Sequence, residues 1–215
     1  MEPYSEQAKV WPKTGRHILA QFDESTIVVY QAYRPSIGRH AAEYGEFGGD
    51  FDYSRISWVK PSFLWMMYRS GWGTKKDQEV ILALRLRRQF FDSLLAQAVS
   101  SSWDRDQFTT EEEWSRALSR SSVRLQWDPD HRPSGAKVER RAIQLGLRGE
   151  VLEAFGQREL VEVINLSELV AEQRSRLSSG GLSTLLTPRE RVYRPTVPAV
   201  AARLRLTDEE PALPN

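Results

Sequence analysis

Three stretches of the chain set polar and charged side chains among apolar ones, and any chemistry is to be sought there first. The densest is SRISWVKPSFLWMMYRSGWG, residues 54–73, where Ser57, Trp58 and Lys60 run directly into a segment bearing Trp65, Tyr68 and Arg69. At helical spacing Trp65, Tyr68 and Arg69 lie three and four apart and adjoin one another on one face. An arginine closing an otherwise apolar helix, beside Gly71 and Trp72, either caps the last carbonyls or faces a ligand, and the spacing leaves both open. The second stretch, ERRAIQLGLRGE at 139–150, puts Arg141 on one strand face with Ile143 and Leu145. A charge there needs either a ligand or a partner such as Glu139. Arg148 and Gly149 open the next helix, whose free N–H groups and dipole favour an anion. The third stretch, YQAYRPSIG, places Gln31 and Tyr33 on one strand face and Arg34 just before a helix starting at Pro35. Arginine forks suit bidentate phosphate recognition, and tryptophans beside them suit stacking on a flat ring.

Other familiar chemistries find no footing. The chain has no cysteine, which removes disulfides, thiolate zinc sites and thiol catalysis. Its three histidines, His17, His40 and His131, are far apart and lack an H-E-x-x-H context. Asp128, Asp130 and His131 sit in a proline-flanked turn, so no metal site is expected. Glu111, Glu112 and Glu113 read as a helix start complementing its dipole. Neither a G-x-S-x-G elbow, a G-x-G-x-x-G nor a P-loop occurs.

Composition bounds the rest. The 215 residues suit a single domain with tails, large enough to bury a core without staples. The formal charge of +1 gives no global polyanion signature, although arginines outnumber lysines 24 to six. No apolar run is long enough to span a membrane, and the N-terminus has no apolar stretch to serve as a signal, so the expected location is cytoplasmic. Oligomeric state is not legible.

The elements that must position the three stretches are short and mixed. RHILAQFD and TIVVYQAY predict a hairpin, PSIGRHAAEYG a helix ending at Gly45, and ISWVK a strand. Pro61 opens the helix PSFLWMMYRSG, and EVILALRLR, with Val80, Leu82, Leu84 and Leu86 on one face, is the clearest strand. RQFFDSLLAQAVS and FTTEEEWSRALSR predict helices, the second capped by Thr109 or Thr110. VRLQWDP predicts a strand stopped by Pro129, then come the turn-rich DPDHRPSG and the long strand KVERRAIQLGL. RGEVLEAFG, RELVEVINL and NLSELVAEQRSRLSSGG predict helix, strand and helix. Residues 1–15 read as a flexible arm, 16–187 as one domain, and 188–215, with five of the eleven prolines, as a tail ordered only where VYRPTVP docks. The class is α+β, with a central mixed, largely antiparallel sheet holding TIVVYQAY, EVILALRLR and RAIQLGL, flanked by helices.

VYQAYRPSI, SWVKPSFLWMMYRSGW, VRLQWDP and IQLGLRGE together resemble domain-of-unknown-function family 4291, over roughly residues 16–180. The order of the parts also resembles the ADP-ribosyltransferase superfamily, and most of all its RNA 2′-phosphotransferase branch. That layout has a strand with a His-Gly-Thr motif, a second strand running into a helix that ends in arginine and glycine, and a later strand with a third key residue. Here those positions read Gln31-Ala32-Tyr33, then Ser57 or Trp58, then Arg141, and Arg69 alone matches the phosphotransferase pattern directly. The resemblance implies an ADP-ribosyltransferase-like fold and a cleft for NAD. Gln31, Ser57 and Lys60 would hold ribose and phosphate, a tryptophan would stack on a ring, and Arg69 and Arg141, with Arg34 and Arg148, would clamp a phosphorylated acceptor such as an RNA or DNA end. Where classical transferases carry a glutamate this chain has an arginine. An inactive nucleotide- or RNA-end-binding module of the same fold, or a nucleic-acid-processing enzyme that never uses NAD, therefore stays open beside the transferase.

Overall fold

In the computed structural model, which describes residues 1–208, the apolar alternation of residues 80–87 does what a period of two requires. Val80, Leu82, Leu84 and Leu86 point into one core and Ile81 and Ala83 into a second on the other side of the same strand. The chain opens with β1 (Glu2–Pro3), α1 (Tyr4–Val10), β2 (Ile18–Ala20) and β3 (Thr26–Tyr33). Then come α2 (Pro35–Tyr44), β4 (Ser57–Val59), α3 (Phe63–Ser70), β5 (Val80–Arg87), α4 (Arg88–Gln97) and β6 (Val99–Ser100). The second half holds α5 (Glu111–Arg120), β7 (Val123–His131), β8 (Lys137–Leu147), and α6 (Glu150–Glu153) continued by a π-helical turn over Ala154–Arg158. It ends with β9 (Leu160–Asn165), α7 (Ser167–Gly180), a 3-10 turn (Gly181–Ser183), β10 (Leu186–Thr187), β11 (Arg191–Tyr193) and α8 (Pro198–Arg203).

The class is α+β, one domain whose sheets are mixed and mostly antiparallel, β6–β7 being the parallel pair. The expected single sheet is instead divided: β3-β5-β9 forms one and β4-β8-β7-β6 another, with two-stranded pairs β1-β10 and β11-β2 beside them. The two larger sheets meet at one bridge, where Tyr30 N–H donates to Lys60 C=O at 2.7 Å and Lys60 N–H to Tyr30 C=O at 3.2 Å. Pro61 follows at once, and the chain turns into α3 two residues later.

Both faces of β3 are covered. Ile27 and Val29 enter one core with β8's Ile143, Leu145 and Leu147, while Val28 and Tyr30 enter the other with Phe63, Leu64 and Met67 of α3. This double burial is why TIVVY reads as a continuous apolar run.

The terminal segments contact one another, and within VYRPTVP, where docking was expected, Tyr193 pairs with β2 and Thr196 bonds to Asp92. Buried Gln7 of α1 donates to Thr187 Oγ1 at 2.9 Å and to Pro188 C=O at 3.0 Å, and accepts from Glu190 N–H at 2.8 Å. Trp11 Nε1 donates to Glu190 C=O at 2.9 Å, and β11 pairs with β2 from Arg191 to Tyr193. Each segment supplies the other's polar partners, a long-range reciprocity that composition does not display. The rest of the expected tail, 209–215, lies outside the described residues. Nor does Pro129 stop β7: the strand runs on to His131 through a bulge at 129–131, where a missing N–H is tolerated.

Candidate ligand cleft

A cleft of about 920 Å³ opens where the two larger sheets part, beyond the Tyr30–Lys60 bridge. β3 supplies Gln31 and Tyr33, β4 Ser57 and Trp58, α3 Arg69, and the β7–β8 ladder Gln126 and Gln144. Ser57 is the hub of its floor. Its Oγ accepts from Gln31 Nε2 at 2.8 Å and shares a 2.6 Å hydrogen bond with the Tyr33 hydroxyl. Gln31 Nε2 also donates to Trp58 C=O at 3.1 Å, but Gln31 Oε1 is buried without a partner. Such an acceptor is costly unless something donates to it. Burial pushes the Tyr33 phenol up, only partly offset by the Ser57 hydrogen bond, so it stays a neutral donor. Trp58 lies over Gly146, where a Cβ would come within 3.0 Å of the indole and 2.8 Å of Ile56 Cδ1, so any larger residue would displace the wall.

Lys60 is the unusual member. Only 4% exposed, it has no ion pair among the described residues, and its Nζ lies 4.8 Å from the centroid of the Trp65 ring. Burial, and then the Arg69 guanidinium, bring its pKa down to about 7, against a smaller pull upward from Asp128. Asp128 itself accepts from Gln126 Nε2 at 3.0 Å and Gln144 Nε2 at 2.7 Å, which holds both amides at the cleft's inner end.

Helix α3 positions Arg69 through both of its ends. At the start, the Phe63 N–H donates to the buried Glu190 carboxyl at 2.6 Å. At the finish, Gly71 takes the left-handed conformation (φ 60°) that closes a helix with least strain. The last carbonyls are capped by Lys75, whose Nζ donates to Arg69 C=O at 2.8 Å. Arg69 is thereby relieved of capping. Its exposed guanidinium meets the Gln78 amide at 3.4 Å and otherwise lines the cleft.

Of the ten candidate residues, Gln31, Arg34, Ser57, Trp58, Lys60 and Arg69 come together around this cleft, and Trp65, Tyr68, Arg141 and Arg148 do not line it. Trp65 backs Lys60 from the core side. Tyr68 turns outward and stacks on His131, with ring centroids 3.6 Å apart. Arg148 holds the end of α5, donating to Ser121 C=O at 2.8 Å and to Ser119 C=O. Arg141 does share a face with Ile143 and Leu145, but Gln144 on the opposite face is the one at the cleft. At Arg141 the strand has passed the edge of the core, and the exposed guanidinium donates to Trp127 C=O at 2.9 Å. The arginine that is buried is its neighbour, Arg140, paired with Asp130 at 2.6 Å. Arg69 and Arg141 thus address different sides of the sheet.

The model of the family described as Domain of unknown function (DUF4291) matches residues 17–193. The chain belongs to this family. The DUF4291 match takes in both larger sheets and every residue lining the cleft, and it extends through β11, which agrees with the docked C-terminal segment. No curated protein matches the chain. Among the described residues no helix is long and apolar enough to cross a membrane.

Sequence reasoning missed Arg55, Gln126 and Gln144. The two glutamines sit on the strands already identified, opposite one another in the β7–β8 register. Their alternation with Leu125 and Leu145 was a signal that could have found them.

Proposed function

We propose that the cleft binds NAD or a related nucleotide. The observation that carries this is that Gln31 and Arg34 of one stretch and Ser57, Trp58, Lys60 and Arg69 of another line one cavity, with an unpartnered buried acceptor, Gln31 Oε1, at its floor. That acceptor suits an amide or amino N–H of the ligand. Trp58 offers a flat apolar wall for a ring, and Arg34, Arg55, Lys60 and Arg69 offer cations for a diphosphate. Arg34 is only loosely engaged, 3.4 Å from Asp50, and both are well exposed. When bound, NAD would supply an activated glycosidic carbon and nicotinamide as a leaving group. The chain's own part would be to bind the diphosphate, orient the ribose and exclude water. On this reading an acceptor carrying a phosphate, such as an RNA or DNA end, would approach past Arg69.

A second reading, a nucleotide- or RNA-end-binding module without transfer, is favoured by Glu139. That carboxylate, the one nearest the third key position, is exposed and on the odd-numbered face of β8, away from the cleft.

Thermal unfolding with NAD, ADP-ribose and 2′-phosphorylated RNA tests the common element. A ligand at a hundred times its Kd adds about 2.7 kcal/mol of stability. For a chain of this size that raises Tm by roughly 5–10 °C. No shift with any of the three at millimolar concentration would overturn the nucleotide cleft. Release of nicotinamide from NAD in the presence of the phosphorylated RNA would separate the transferase from the binding module.

A further inference from the structure

Lys60 is a buried lysine that no ion pair among the described residues accounts for. Its nitrogen lies 4.8 Å from the centroid of the Trp65 ring. A lysine so enclosed normally reaches water or a carboxylate. This one lines a large cleft whose other cations, Arg34, Arg55 and Arg69, can hold phosphate near it. Its backbone is fixed by both hydrogen bonds of the Tyr30 bridge and by the proline that follows, so the side chain starts from a rigid point. Desolvated amines beside another cation are the ones that act as nucleophiles.

We propose that Lys60 is a nucleophilic amine that captures, as an imine, the anomeric carbon of a phosphorylated sugar held in the cleft. The inference rests on the nucleotide reading only in that the cleft takes a sugar bearing phosphate. The Lys60 Nζ lone pair adds to C1 of the open-chain aldehyde, and one Nζ proton passes to the carbonyl oxygen to give a carbinolamine. The C1–O bond then breaks, the oxygen leaves as water with the second Nζ proton, and C1=Nζ remains. No oxidant or reductant enters. The charged groups acting on Lys60 are Arg69 from α3, which favours the neutral amine with burial, and Asp128 from β7, which opposes it weakly. At pH 7 about half of Lys60 is therefore neutral, whereas an ordinary lysine near 10.4 is neutral in only about one molecule in a few thousand.

The full chain is incubated with ADP-ribose, ribose 5-phosphate or phosphate-free ribose at pH 7, with cyanoborohydride to trap any imine, and then digested and mapped by mass spectrometry. The other five lysines are internal controls. With ADP-ribose, Lys60 is expected to gain the mass of ADP-ribose less one oxygen at least about tenfold faster than any other lysine. Its rate should rise through pH 7 while theirs rises only toward pH 10. Ribose without phosphate should label it poorly, and Lys60→Met should remove the fast adduct. Labelling spread over the six lysines according to exposure would overturn the inference, as would an unlabelled Lys60 in a protein that binds ADP-ribose by calorimetry. The nucleotide cleft would survive the second result. Fast labelling of Lys60 by ribose 5-phosphate with no calorimetric binding of NAD or ADP-ribose would uphold the nucleophile and overturn the nucleotide reading.

Discussion

Replacing Lys60 by methionine should make the protein more stable, and by an amount that depends on pH in a calculable way. Methionine keeps the length and apolar stem and removes the amine. In the unfolded chain the amine titrates near 10.5, and in the folded protein near 7. Between those values the unfolded state binds the extra proton, so wild-type stability rises with pH by up to about 1.4 kcal/mol per unit. The cost of burying the ammonium is complete below pH 7 and disappears as pH climbs toward 10.5. The full shift of roughly three and a half units corresponds to about 5 kcal/mol, of which about 4 remains at pH 7 and between 1 and 2 at pH 9.5. Losing the cation–π contact with Trp65 offsets at most on the order of 1–2 kcal/mol of this near pH 7, where the amine is half charged, and nothing at pH 9.5, where it is neutral. The net gain for Lys60→Met should therefore be about 2–4 kcal/mol at pH 7 and fall to about 1–2 kcal/mol at pH 9.5.

Urea unfolding of both proteins at half-unit steps from pH 6.5 to 9.5 measures this. Groups away from Lys60 titrate alike in the two and cancel in the difference. A difference that stays flat across that range would refute the buried unpaired ammonium. So would a variant less stable than wild type throughout, since it would mean that Lys60 has a partner stronger than the Trp65 ring. A stabilising variant that loses Lys60 labelling would fit a residue kept for chemistry at the expense of stability.

Arg140→Ala should cost about 3–5 kcal/mol, seen as a Tm drop of roughly 10 °C, because it strands the buried Asp130 carboxylate and removes a 2.5 Å bond to Pro12 C=O; Arg141→Ala should change stability by less than about 1 kcal/mol and leave ligand affinity untouched. Equal losses from the two would mean the strand faces are misassigned. Glu190→Gln keeps the acceptor for the Phe63 N–H and removes a carboxyl that burial holds well above its ordinary 4.5. Because a raised acid adds stability below its unfolded pKa and loses it as pH rises through the folded one, the variant should gain on wild type steadily from pH 5 to 8 in thermal unfolding, and a constant difference would count against a neutral Glu190.

Elements were legible in the sequence wherever one periodicity governed one segment, and assemblies were not. β8 is the clearest case. KVERRAIQLGL was expected as a strand over the residues it occupies, and Arg141 was placed on the face it does share with Ile143 and Leu145. What alternation cannot report is where along a strand its cover ends. The core lies over 143–147, the edge falls at 141, and the other face is covered further out, by Trp11 and Asp130 against Arg140. The more conspicuous choice between two adjacent arginines was therefore the wrong one. The divided sheet was hidden for a similar reason, since alternation within a strand does not report which strand it pairs with or where that pairing ends.

The cleft residues were legible for the converse reason. Gln31 and Lys60 are polar beside residues committed to cores, Tyr30 and Val59, and Ser57 stands between Ile56 and Trp58, which line the cleft, so all three side chains must be satisfied in the gap between the sheets. Ser57 is, by Gln31 and Tyr33. Lys60 and Gln31 Oε1 are not satisfied by the protein alone. Other buried polar atoms of the described residues also lack a hydrogen-bond partner, among them Tyr30 OH and Trp65 Nε1, but of these residues only Gln31 lines the cleft, and Lys60 lines the same cleft; a ligand there can meet both groups. A ligand meeting both would have to donate to the amide oxygen and present an electrophile or an acid to the amine. The amide or amino group of a nucleotide and the anomeric carbon of its sugar meet those two demands within a single molecule.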